Sequence, residues 1–369
     1  MGTPLRVAIR ADASSRIGHG HVMRGLALAA ALFESGPGAD VHVLQRAAPG
    51  DAQAAVDRAG CRAIALPADP DGRCGAADDA AATRAALAPI RPDLRPHWLV
   101  LDHYRLGADW VQALLDVADR VLVIDDLADR PHEGDLLLDS NWHDDPAARY
   151  RGLWPADRPM LLGPHYALLR PEFAAARTAQ RPRDGTLRRV VVAFGGSDPA
   201  GATAPCVDRI QAAFPGLHID VIVGAASAQA PSLVRRWAGH PSVHVTVGAQ
   251  DVAARFAAAD AFVGAGGSMT WERACLGLPG ITLPIADNQQ PLCRRLHEAG
   301  EGIDLGPWQP DATGAQLDAL EAALRTLHDH PVRLQAMGQG LARRCDGQGA
   351  RRVAAAMRDA VASRGAEPA

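Results

Sequence analysis

Short apolar runs alternate with longer, alanine-rich amphipathic stretches along most of the chain. The runs are RVAIR, VHVLQ, AIAL, WLVLD and RVLVIDD, then RRVVVAFGG, IDVIVG, VHVTVG and DAFVGAGG. Runs of that length, rich in Val and Ile, are strand-sized, and the stretches between them have helical spacing. Such alternation predicts βα units and parallel sheets. It pauses over residues 141–185, where NWHDDPAARYRGLW and RTAQRPRDGTLRR are polar, irregular and proline-containing. The break between two α/β domains is expected there. A Rossmann-like N-terminal domain is expected over 1–165, a Rossmann-like C-terminal domain over 185–345, and a helical tail over 346–369. The fold class is therefore α/β, with two parallel sheets facing a central cleft. In open α/β sheets ligands bind beyond the carboxyl ends of the strands, so the strand-to-helix loops are where function is sought.

Composition narrows the partners. At 369 residues and 48% hydrophobic, the chain has material for about two cores. Lys+Arg 38 against Asp+Glu 42 gives a net charge of −4, with no basic block, so no nucleic-acid partner is expected. Every basic residue is Arg. The absence of Lys excludes a Schiff-base lysine and a P-loop lysine. The six cysteines show no CxxC spacing and are expected to be reduced. The start lacks a signal-type apolar region, and no run approaches the roughly 20 residues of a membrane span. A cytoplasmic protein with no membrane partner is expected.

Three loops stand out in the second half. FGGSDPAGAT (194–203) and GAGGSMTWERACLGLP (264–279) each place Gly-Gly-Ser after a strand, and the second opens a helix. Glycine lets a ligand approach the backbone, and free amides at a helix start favour an anion such as a pyrophosphate. Gly196 and Ser197 in the first loop, and Gly267 and Ser268 in the second, are the candidate contacts. Glu272, about one turn beyond Ser268, can accept hydrogen bonds from both ribose hydroxyls. A third loop, PIADNQQ (284–290), offers the amides of Asn288 and Gln289 to sugar hydroxyls or acetamido groups.

In the first half, RADASSRIGHGHVMRGLALAAAL (10–32) follows the first strand. Gly18 and Gly20 make this loop pliable, and helical spacing starts at His21. A histidine in the first turn of a helix tends to stay neutral, as a general base for water must. Asp12, at the strand end, could orient its ring. His19 is a second candidate, and spacing does not separate the two. No HExxH is present, and the pairs Asp125–Asp126 and Asp144–Asp145 lie beside no close histidine cluster, so no metal is expected.

Taken together, RADASSRIGHGHVMRGLALA, LDHYRLGADW, VIDDLADRPHEGDLLLDSN, LLGPHYALLRPEF, FGGSDP, GAGGSMTWERACLGLP and ADNQQ resemble the PseG family. Its members are the UDP-sugar hydrolases of pseudaminic acid (nonulosonic acid) biosynthesis. The resemblance runs from about residue 10 to 290 in one order. It implies a GT-B-type architecture related to the glycosyltransferase MurG, with UDP held mainly by the C-terminal domain. It implies UDP-2,4-diacetamido-2,4,6-trideoxy-β-L-altropyranose as substrate, water replacing UDP at the anomeric carbon with inversion, and no metal or cofactor. The family's general base falls on His21, its sugar-contacting tyrosine on Tyr104, and the asparagine of Ala-x-Asn-Gln on Asn288. By analogy with GT-B nucleotide sites, Glu272 binds ribose while Gly267 and Ser268 take the diphosphate. Met269 departs from the family's small hydroxyl residue, and LDSN at 138–141 departs from the commoner Asp-Gln-Asn. A GT-B glycosyltransferase with a UDP-sugar donor is the alternative reading.

Overall fold

The computed structural model describes residues 4–14, 17–89, 95–180, 182–225, 227–310 and 313–364. They form two compact units, Met1–Pro171 with Gln348–Ala369, and Glu172–Gly347.

The first unit runs β1 (Leu5–Ala11), α1 (Gly20–Glu34), β2 (Ala39–Arg46), α2 (Gln53–Arg58), β3 (Arg62–Leu66) and α3 (Ala76–Leu87). It continues through β4 (Trp98–Asp102), α4 (Ala108–Gln112), β5 (Arg120–Ile124), β6 (Leu136–Asp139) and β7 (Met160–Leu162). Its sheet has the order β3-β2-β1-β4-β5-β6-β7, and every pairing is parallel. Both faces are covered, which is why the strands read as continuous apolar runs. Alternate side chains serve different layers. Val7, Ile9 and Ala11 pack with Val22, Leu26 and Leu32 of α1. Ala8, Leu99 and Leu101 pack with Trp110 and Val111 of α4.

The second unit opens on α5 (Pro171–Ala179). It runs β8 (Arg189–Ala193), α6 (Thr203–Ala213), β9 (His218–Val223), α7 (Ala230–Arg236), β10 (Val243–Val247) and α8 (Val252–Ala258). Then come β11 (Ala261–Gly264), α9 (Met269–Cys275), β12 (Gly280–Thr282), α10 (Gln290–Glu298), β13 (Ile303–Asp304), α11 (Thr313–Asp329) and α12 (Pro331–Ala342). This sheet is also parallel, in the order β10-β9-β8-β11-β12-β13.

The chain then returns to the first unit as α13 (Gly349–Arg364). Val353, Ala354 and Met357 are fully buried in the α1 core, the apolar stripe of an amphipathic helix. Trp98 Nε1 donates to the Met357 carbonyl at 3.0 Å, and Arg358 donates to the carbonyls of Leu32 and Gly38 at 2.9 Å each. The segment read from the sequence as a tail thus completes the first core.

Both sheets reverse their strand order beside the first strand, between β1 and β4 and between β8 and β11. These reversals are the switch points where α/β sheets hold ligands. The loops singled out in the sequence follow three of those four strands, and Tyr104 follows the other.

Candidate functional site

In the first unit, the chain leaving β1 closes a small turn in which Gly18 N donates to Ser14 O at 2.9 Å. α1 then starts at Gly20, and the two histidines part company. His19 Nε2 meets the Gly50 carbonyl at 2.9 Å and ties this loop to the one after β2. His21 turns to the end of β4, where its Nδ1 lies 2.6 Å from Asp102 Oδ1. The structure therefore separates the two: His19 braces, and His21 faces the switch point.

Asp102 has a fully buried side chain. Burial would raise its pKa, but Arg24 and His21 more than offset this and hold the carboxyl well below the usual carboxylate range. Arg24, three residues on from His21 and so on the same helix face, donates through Nε and Nη2 to Asp102. Its Nη1 donates to Asp126 at 3.0 Å. An ionised carboxylate only accepts hydrogen bonds, so its 2.6 Å contact places a proton on His21 Nδ1, although Arg24 Nη2 also stands 3.3 Å from that nitrogen. In the neutral ring the lone pair is then on Nε2. Among the described residues Nε2 has no hydrogen-bond partner. The Tyr104 ring meets the His21 ring edge-on, with centroids 4.4 Å apart at 82°. The tyrosine is 40% exposed, and its loop is held by Arg130, which donates to His103 O at 2.7 Å and Leu106 O at 3.0 Å.

Asp12, the carboxylate expected beside His21, lies elsewhere. It accepts from Arg10 at 2.5 and 2.9 Å and from Arg46 N at 2.8 Å, and His103 Nε2 stands 3.4 Å away. Arg10 is fully buried and also binds Asp79, so Asp12 serves to neutralise it and to join β1 to β2. The orienting role belongs to Asp102. Sequence reading missed Asp102 and Arg24. Their signals were the carboxylate closing WLVLD and the i, i+3 spacing of Arg24 from His21. The Asp125–Asp126 pair is likewise engaged. Asp125 accepts from Ala128 N at 2.8 Å and Tyr150 Oη at 3.2 Å, and Asp126 takes Arg24. Asp145 accepts from Ala148 N at 3.0 Å. Among the described residues no three His, Cys, Asp or Glu side chains are grouped to hold a metal ion.

In the second unit, the loop after β8 meets its own anion. Asp198, at φ +42°, accepts from Ala202 N at 3.0 Å and Thr203 N at 2.9 Å. The first amides of α6, which would attract a phosphate, already face a carboxylate. Gly196 and Ser197 remain half-buried in the turn before it, without that helix end.

The loop after β11 differs. Gln289 Oε1 accepts from both Gly266 N at 3.2 Å and Ile285 N at 3.1 Å, so this residue joins two loops rather than offering its oxygen to a sugar. Asn288 beside it is exposed, and Glu272 on α9 is half-buried. The two glycines have different reasons to be glycine. A Cβ on Gly266 would lie 2.0 Å from Cys293 Sγ, whereas one on Gly267 would meet only Gln289 Nε2 at 3.5 Å. Packing demands the first and leaves room above the second. Gly266→Ala is expected to cost about 1–3 kcal/mol of stability. If this loop holds the diphosphate of UDP, as the sequence leads one to expect, Gly267→Ala should keep the thermal midpoint but weaken UDP binding by about 10-fold, a loss of about 1.4 kcal/mol. Thermal melts and UDP titration of both variants check this. Unweakened UDP binding by Gly267→Ala would count against that expectation.

No protein-family model matches the chain. The spore coat polysaccharide biosynthesis protein SpsG of Bacillus subtilis (strain 168) is 30% identical over 209 residues, which are 53% of this chain. The chain thus spans little more than half of that relative, 57% of its length. Solved structures match over nearly the whole chain. MurG of Acinetobacter baumannii has a TM-score of 0.61 at 14% identity, over 96% of this chain and 100% of its own. Phytolacca americana UGT2, complexed with UDP-2fluoro-glucose and pterostilbene, has a TM-score of 0.67 at 14% identity, over 99% and 100%. The Streptomyces sp. SF2575 glycosyltransferase SsfS6, complexed with thymidine diphosphate, has a TM-score of 0.59 at 14% identity, over 96% and 99%. The fold is that of the GT-B glycosyltransferases. No helix among the described residues is long and apolar enough to cross a membrane.

Proposed function

We propose that the chain is an enzyme of nucleotide-sugar chemistry that hydrolyses a UDP-sugar with inversion. The substrate the family resemblance implies is UDP-2,4-diacetamido-2,4,6-trideoxy-β-L-altropyranose. The observation that carries the proposal is His21, at the switch point of the first sheet: its Nδ1 is fixed on an ionised carboxylate, and its Nε2 has no hydrogen-bond partner among the described residues. That is the arrangement of a general base. The likeness to SpsG, a protein of polysaccharide biosynthesis, supports a place in glycan assembly. UGT2 with UDP-2fluoro-glucose and SsfS6 with thymidine diphosphate support a nucleotide ligand on this fold.

In this reading the first unit supplies the base and the second holds the nucleotide. Water attacks the anomeric carbon as the bond from that carbon to the diphosphate oxygen breaks. The water proton passes to His21 Nε2, and the electron pair of the broken bond leaves with UDP. Asp102 keeps the ring in the productive tautomer and stabilises the imidazolium that forms. Charge grows on the diphosphate during the step, and the Gly267–Ser268 backbone is the candidate to stabilise it. UDP is a good leaving group, so no strong acid is needed.

The test is incubation with a panel of UDP-sugars in ¹⁸O-labelled water, without any acceptor alcohol. UDP release with one label at the sugar's C1 supports hydrolysis. UDP release that needs an added alcohol, with the alcohol joined to the sugar, overturns it in favour of a glycosyltransferase.

A further inference from the structure

We infer that Arg273 is a buried counter-charge for the anion bound at the Gly264–Ser268 loop, an inference that rests on the nucleotide reading above. Arg273 lies on α9, directly after Glu272, and is 0% exposed. No carboxylate pairs with it among the described residues. Its Nη1 reaches Leu278 O at 3.5 Å, and Nε and Nη2 have no hydrogen-bond partner. The guanidinium stands 5.8 Å from the centre of the Phe262 ring. It also lies flat on Gly280, where an added Cβ would sit 2.8 Å from Nη1. Phe262 and Gly280 are partners across β11 and β12, so the group is wedged between α9 and the sheet.

A charge in this position needs a reason. Burial lowers the Arg273 pKa, but only to about 10, so the side chain stays cationic at neutral pH. An unpaired buried cation is costly, and an apolar side chain of similar volume would serve the core better. The Cys293 thiol does not neutralise it, because burial pushes that thiol up to about 11. Cys293 instead links the arginine to the loop. The Arg273 charge lowers its pKa on one side, and its sulfur fills the space a side chain on Gly266 would need on the other. Gly266 follows Phe262 by four residues, so the two are at most about 13 Å apart. Over that range, at an effective dielectric near 20, one unit charge changes the affinity for another by about 10-fold. The arginine thus biases the loop towards an anion without touching it, which makes it a positioning charge rather than a catalytic residue.

The experiment is calorimetric titration of UDP and of uridine into the wild-type protein, Arg273→Met and Arg273→Gln, with thermal melts of all three. Both variants should bind UDP about 10-fold more weakly. Their uridine affinity should be unchanged, because uridine lacks the diphosphate, and the Met variant should melt no lower than wild type. A merely structural arginine would lower the melting temperature and weaken both ligands together, which overturns the inference. Unchanged UDP affinity overturns it too. So does failure of both neutral variants to fold, since a charge the fold requires is not reserved for a ligand. Absence of UDP binding by the wild-type protein is a different result and defeats the proposed function itself.

Discussion

His21→Asn should lower turnover by about 10²–10⁴-fold, the range for a lost general base, with UDP affinity nearly unchanged, if the proposed hydrolysis holds. The asparagine amide takes the place of the Nδ1 side of the ring and can still donate to Asp102, so the ion pairs of Asp102 with Arg24 persist. What disappears is the Nε2 lone pair, which accepts the water proton in the proposed hydrolysis. His19→Asn is the control. It removes a single contact to Gly50 O on a half-exposed loop, worth about 1 kcal/mol of stability, and turnover should fall only a few-fold. Asp102→Asn should lie between the two. Its amide no longer dictates which ring nitrogen carries the proton, and it leaves Arg24 with Asp126 as its remaining carboxylate. UDP release at saturating substrate, measured for the three variants, gives the order. If His19→Asn were the most damaging, the base would be misassigned. If Asp102→Asn matched wild type, the tautomer argument would fail.

The sequence made the repeated architecture legible because parallel strands covered on both faces must be apolar throughout, and runs such as WLVLD and RRVVVAFGG are little else. Elements too short to show a period were not legible. β7 has three residues and β13 has two, and β7 falls inside the stretch that reads as a polar pause. The placement of α13 was hidden for another reason. Its apolar stripe announces a buried face, but no local signal says that the face returns across some 320 residues to α1. The candidate site shows the same division. The histidine loop was visible as an odd composition after a strand. Its partner was not, because Asp12 is near in sequence while Asp102, 81 residues away, is near in space. Asp12 is instead claimed by Arg10, an arginine buried within β1, where sequence pattern alone gives no hint of a charge needing neutralisation. Gln289 illustrates the limit on polar loop residues. It looks like a ligand contact, and its oxygen is already shared by two backbone amides.

Glu272→Ala should weaken UDP binding by roughly 10- to 150-fold, equivalent to about 1.5–3 kcal/mol for charge-assisted hydrogen bonds to the ribose. Four residues of helix separate Ser268 from Glu272, about 6 Å along the axis. That distance suits a carboxylate reaching ribose while the loop holds the diphosphate. The side chain is half-buried, so its hydrogen bonds are only partly screened by solvent. A loss of affinity alone would not show which part of the nucleotide is involved, and 2′-deoxy-UDP supplies that information. If the carboxylate binds the ribose hydroxyls, wild type should prefer UDP over 2′-deoxy-UDP. Glu272→Ala should bind the two alike, because the group that told them apart is gone. Glu272→Gln keeps an acceptor of the same shape without the charge, so it should fall between wild type and Ala and retain part of the preference. Titration of both nucleotides into the three proteins measures all of this. Equal UDP affinity in wild type and Glu272→Ala would end the ribose assignment. So would a preference for UDP that survives the substitution undiminished, since the discrimination would then come from some other residue.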